Sequence, residues 1–106
     1  MEISFEEFKE LVFVRAGHFN SCSFEVGRSY LIRTVTFYYT GRLSAITDTD
    51  FVLEDAAWIA DTGRFSTALK TGELNEVEPY LDPVIIPRGV IVDATKWNHP
   101  LPREVK

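Results

Sequence analysis

Apolar residues recur at helical spacing near the start of the chain and at strand spacing from residue 30 onward. Phe5, Phe8, Leu11 and Val12 fall at i, i+3, i+6 and i+7, on one helical face. Ser4 and Glu7 stand in a capping-box relation. The hydroxyl accepts from the third helical amide, and the carboxylate reaches back to the Ser4 amide. Ile3 and Phe8 occupy the two positions of a hydrophobic staple. Glu6 and Glu7 suit the positive end of the helix dipole and Arg15 the negative end, with Gly17 placed to end the helix. The pattern predicts a helix over residues 4–16. The run Leu11-Val12-Phe13-Val14 also has the composition of a short strand, and that reading competes with the helix.

Residues 17–29 hold Gly, Asn, Ser and Cys and read as loop, with Phe24 and Val26 in a short extended piece. The period then changes. Three runs rich in β-branched and aromatic residues, 30–39, 42–47 and 50–59, are separated by Thr40-Gly41 and Asp48-Thr49, which read as turns. This predicts an antiparallel three-strand meander over residues 30–60. In the third run Phe51 and Leu53 point one way, Val52 and Glu54 the other.

Residues 61–83 form an insertion. Residues 64–70 suit two helical turns, capped by Asp61 or Thr62 and ended by Gly72, with Phe65, Ala68 and Leu69 on one face. Residues 73–83 are acidic, contain two prolines and read as an irregular excursion. Strand signal returns in Val84-Ile85-Ile86 and again in residues 90–94, so residues 84–95 read as two short strands. Between them stand Pro87, which cannot donate to a ladder, and an Arg88-Gly89 turn. Residues 96–106, with Pro100 and Pro102, read as an extended tail. The expected fold is mainly β: a small five-stranded antiparallel barrel, with a helix before it and a helical or irregular insertion before its last two strands. The leading helix needs a partner for its apolar face, and the barrel's open end is available.

A chain of 106 residues reads as one domain over residues 1–106, and 45% hydrophobic with 25% charged residues argues against disorder. The net charge of −5 disfavours a general nucleic-acid binder. One cysteine, Cys22, cannot form an internal disulfide. No apolar run approaches the ~20 residues of a membrane span. The acidic start is the opposite of a secretory signal, so the expected compartment is the cytoplasm. Charge is also uneven. Residues 28–42 carry three arginines and no acid, whereas residues 48–82 carry nine acids and two bases. Solvated strand faces account for this, as would complementary subunit surfaces.

Three stretches resemble the Sm-like family of small barrels. Val35-Thr36-Phe37-Tyr38-Tyr39-Thr40-Gly41-Arg42-Leu43 looks like the opening of the first Sm motif, and Asp50-Phe51-Val52-Leu53-Glu54-Asp55-Ala56 like its close. Ile86-Pro87-Arg88-Gly89-Val90-Ile91-Val92 is similar to the second motif. The resemblance implies a homo-oligomeric ring in which the last two strands meet neighbouring subunits, involving Val84, Ile85, Ile86, Val90 and Ile91 here. It also implies an RNA site at Asp50, Arg88 and Gly89, with Arg42 and Tyr39 as weaker neighbours. Two departures weaken the RNA site. A base-reading Asn is replaced by Asp50, and Pro87 is inserted before Arg88. The expected function is therefore a non-enzymatic structural or scaffolding ring whose partner is itself. RNA binding is the alternative, as is a small structural protein of a phage or mobile element.

Catalytic chemistry finds little support. Cys22 lies between serines with no basic neighbour in sequence, so it reads as an inert thiol. His18 and His99 are far apart and lack ligand partners at metal spacing. Glu54 and Asp55, adjacent on a strand, are expected on opposite faces and unable to cooperate. No cofactor or metal site is expected, nor an enzyme. Trp58 and Ile59, in the apolar run 56–60, read either as core or as an interface anchor. Tyr38, Tyr39 and Trp97 read as packing residues or as stacking platforms for bases. Trp97, between Lys96 and Asn98, is expected to be wetter than Trp58.

Overall fold

The computed structural model describes residues 23–106. The expected helix over 4–16, and with it His18 and Cys22, lies outside the described residues. The strands are β1 Ser29–Thr34, β2 Tyr38–Ile46, β3 Asp50–Asp61, β4 Glu76–Pro79, β5 Val84–Pro87 and β6 Ile91–Lys96. One helix, α1, spans Phe65–Thr71, and a short 3-10 turn, Arg88–Val90, joins β5 to β6. All pairings are antiparallel, in the order β4-β3-β2-β1-β6, with β5 on the first half of β3.

The meander is present, but its first turn lies elsewhere than expected. The chain reverses at Val35-Thr36, and Thr40-Gly41 sits inside β2. Both hairpin turns use one device. The Thr34 hydroxyl accepts from the Phe37 amide at 3.0 Å, and the Thr47 hydroxyl accepts from the Asp50 amide at 2.8 Å. A threonine oxygen thus closes each turn without a glycine. Gly41 serves close approach instead: a Cβ there would stand 3.0 Å from the Leu53 Cβ and 3.2 Å from that of Ala56.

The expected barrel is not closed. The sheet curls enough for the Arg88–Val90 turn to reach both hairpin ends, with the Arg88 amide donating to the Thr49 carbonyl and the Val35 amide to the Val90 carbonyl. Among the described residues, however, no ladder joins β5 to β6, and a sixth strand extends the far side. That strand, β4, lies in the stretch read as an irregular excursion. It pairs with the second half of β3, because β3 runs on to Asp61.

β3 serves two cores because it switches face midway. Phe51 and Leu53 face the interior formed with Tyr30, Ile32, Leu43 and Ile86. Ala57 and Ile59 face a second cluster with Leu31, Ala68, Leu74, Val77 and Trp97. The switch is a bulge: Arg42 pairs with Glu54 but Thr40 with Ala57, leaving one extra residue on β3. Asp55 there adopts φ 51°, a left-handed conformation that costs a residue with a side chain roughly 1–2 kcal/mol.

Helix α1 places Ala68 against the second core and ends at Gly72, φ 81°, as the pattern predicts. Its N-cap is Arg64 rather than Asp61 or Thr62, and no side chain caps it. Asp61 instead accepts from the Gly63 amide. The tail is not a free arm. Trp97 and Leu101 join the second core, and Lys106 exchanges both backbone hydrogen bonds with Val77. Among the described residues, no helix is long and apolar enough to cross a membrane.

Candidate functional site

The residues singled out for RNA fall at two places. Asp50, Arg88 and Gly89 meet at one end of the sheet, since Asp50 pairs with Pro87. Arg88 is engaged there. It donates to the Thr47 carbonyl at 2.8 Å, and its guanidinium stands 5.3 Å from the centre of the Phe51 ring. The Asp50 carboxylate accepts from the Thr49 hydroxyl at 3.0 Å. Gly89 has open space where a side chain would stand. Arg42 and Tyr39 lie farther along the ladder. Glu54, the partner of Arg42, is four positions from Asp50, about 13 Å at strand rise.

Arg42 anchors the bulge. It donates to Asp55 at 2.7 Å and to Glu54 at 3.1 Å, so the two adjacent carboxylates do converge, against the alternation expected of a regular strand. The bulge turns both outward. The Arg42 guanidinium holds the Asp55 carboxyl below its usual range, chiefly through that hydrogen bond. A bidentate pair joins Arg33 to Asp93 across β1 and β6, and it likewise lowers the Asp93 carboxyl.

The residues expected at a subunit interface divide by burial. Ile59 and Ile86 are core, and Val84 and Ile91 are partly covered. Ile85 is 65% exposed, and Val90 is also exposed. Val92 on β6, which the sequence reading did not single out, is 54% exposed. Beside it runs a groove of about 370 Å³ between β6 and the Ser23-Phe24 stretch, lined also by Tyr30, Ala94 and Lys96. A smaller hollow of about 210 Å³ separates Phe65 and Leu69 of α1 from the Arg33–Asp93 pair.

Trp58 stands half-buried in an aromatic row. Its ring lies edge-on to Phe37 at 5.5 Å, Phe37 is 6.3 Å from Tyr39, and Tyr39 stacks with Tyr80 at 6.3 Å. The register places Tyr39, Trp58 and Glu78 side by side on β2, β3 and β4. Burial, and then the neighbouring Tyr80, push the Tyr39 phenol up. Tyr38 is not part of this row; it packs with Phe65 on the opposite face. The expectation for Trp97 is overturned. It is only 4% exposed, its indole donates to the Pro100 carbonyl, and His99 packs edge-on against it at 4.8 Å. The prolines of the tail bend the chain back over the ring instead of leading it into solvent. The signal for the aromatic row was the alternation Phe37, Tyr39; Tyr80 gave none, because β4 was not foreseen.

Among the described residues, no group of three or more His, Cys, Asp or Glu is placed to hold a metal ion. Comparison with protein-family models, with curated proteins and with solved structures found no match.

Proposed function

We propose that this chain is a non-enzymatic, self-associating module of the Sm-like kind, a structural or scaffolding unit assembled from copies of itself. One observation carries the reading: the two strands that flank the unclosed gap, β5 and β6, expose Ile85 and Val92, with Val90 in the turn between them. Apolar side chains grouped at an open sheet margin favour association. The strand path supports the same kinship. A three-strand meander is flanked by β5 and β6, which are consecutive in the chain and joined by one short turn.

Strand pairing alone is a poor glue at β5, which is four residues long and bounded by Pro83 and Pro87. Side-chain burial is the better source of affinity. A contact between the β5 margin of one copy and the β6 margin of the next is head-to-tail, and it closes into a ring when the rotation permits. RNA binding at Asp50 and Arg88 is the weaker reading. The guanidinium is already spent on Thr47 and Phe51, and Asp50 presents negative charge to a polyanion.

The test is mass in solution. Light scattering at micromolar concentration is expected to give a multiple of the 12.1 kDa chain mass. The melting temperature is expected to rise with protein concentration. Ile85→Lys combined with Val92→Lys should return the protein to the monomer mass while leaving its circular dichroism unchanged. A wild-type chain that stays monomeric removes the proposal. A gel shift with oligo-uridine at low salt would revive the RNA reading.

A further inference from the structure

We infer that the aromatic row of Phe37, Tyr39, Trp58 and Tyr80, bordered by Glu78, is a docking face for an arginine-bearing segment of another protein. Rings of this size are ordinarily buried. Here Phe37 is 43% and Tyr80 37% exposed, and Tyr39 and Trp58 are half-buried. The row lies on the wing of the sheet where β3 runs on past the first core to pair with β4.

Charge selects the occupant. Residues 71–87 hold four acids, Glu73, Glu76, Glu78 and Asp82, and no base. Glu78 is exposed and stands directly across from Trp58 in the ladder. Aromatic faces carry negative charge density, so rings beside a carboxylate attract a cation. A guanidinium fits best, because it is planar, weakly hydrated and able to stack on a ring while its edge meets a carboxylate. An ammonium stays more strongly hydrated. Nucleic-acid bases would stack on the same rings, but their phosphates would face this acidic border. Arg103 holds the Tyr80 end of the row, donating to the carbonyls of Tyr80 and Ala56, each at 2.9 Å, so an incoming cation is drawn to the Glu78 end.

The experiment is calorimetric titration of the full chain at low salt with three probes: a short Arg-Gly repeat peptide, its Lys-Gly counterpart and oligo-uridine. The Arg peptide is expected to bind, the Lys peptide to bind more weakly and oligo-uridine to give no heat. Tyr80→Ala should weaken Arg-peptide binding by roughly five- to thirtyfold, the range of a partly desolvated cation–π contact, and Glu78→Gln by about two- to fivefold, the range of an exposed ion pair. Both alter exposed side chains, so unchanged melting shows that the fold persists. Phe65→Ala, an exposed aromatic on the other face, should leave binding unchanged. Absence of heat from the Arg peptide at millimolar concentration overturns the inference, as does binding indifferent to Glu78→Gln and Tyr80→Ala. Preference for oligo-uridine overturns it in favour of nucleic acid. Loss of self-association in Tyr80→Ala overturns it in favour of a second copy of this chain.

Discussion

Thr40 and Gly41, neighbours in the middle of β2, occupy their positions for opposite reasons. Gly41 is there because nothing larger fits: the atoms it would meet are Cβ atoms of Leu53 and Ala56, which cannot swing aside. Gly41→Ala should cost about 1–3 kcal/mol, the usual range for an overpacked core, read as a lower denaturant midpoint. Thr40 is fully buried, and its hydroxyl has no hydrogen-bond partner among the described residues. A buried hydroxyl without a partner loses its water for nothing in return. Thr40→Val keeps the shape and removes that loss, so it should stabilise by about 1 kcal/mol. At the charged positions the sign follows from linkage. Arg33 and Arg42 lower the carboxyls of Asp93 and Asp55, so the stability these pairs contribute is present above the ordinary carboxylate range. It is lost as pH falls through the lowered values. Both carboxylates are solvent-exposed, so the effect is small, and Asp93→Asn should flatten only the acid end of a denaturation series.

Elements were legible wherever local pattern and tertiary role agree. Asp48-Thr49 looks like a turn and is one, and the alternation Phe51, Val52, Leu53, Glu54 matches the observed burial. Val35-Thr36 has strand composition, so its turn was hidden; the recoverable cue was Thr34, three residues before Phe37 as Thr47 is three before Asp50. Gly41 looked like punctuation because a glycine required by close packing resembles one required by a turn. The bulge at Asp55 was invisible, since its cause is an arginine on the neighbouring strand. The tail is the largest revision. Trp97, Leu101, Arg103 and Lys106 make it a strap across the second core. Trp97→Ala should therefore cost about 3–5 kcal/mol, as for a buried aromatic, and more than Trp58→Ala, the reverse of what sequence context implies. Thermal denaturation of the two variants side by side decides it. Of the candidate site, the resemblance alone put Asp50 and Arg88 together, and the Asp50–Pro87 pairing brings them to the same end of the sheet. The aromatic row was not, because it needs β4 alongside β3.

On the scale of the whole molecule, the β1–β6 ladder joins parts of the chain that are far apart in sequence: Arg33 meets Asp93 sixty positions later. Each hairpin of the meander closes only a few residues. By the logarithmic rule for loop closure, the long connection costs about 2 kcal/mol more in chain entropy than a hairpin. Order of assembly follows. The meander β1-β2-β3 is the expected nucleus, with β6 expected to dock after the transition state, so that one side of β1 stands briefly open to solvent and to other chains. Stopped-flow refolding should be in the millisecond-to-second range typical of sheets with distant pairings. Leu43→Ala, inside the meander, should slow refolding, whereas Ala94→Gly, on β6 opposite Ile32, should leave refolding nearly unchanged and accelerate unfolding. If Ala94→Gly slows refolding as much as Leu43→Ala, β6 belongs to the nucleus, and the interval in which β1 stands open does not exist.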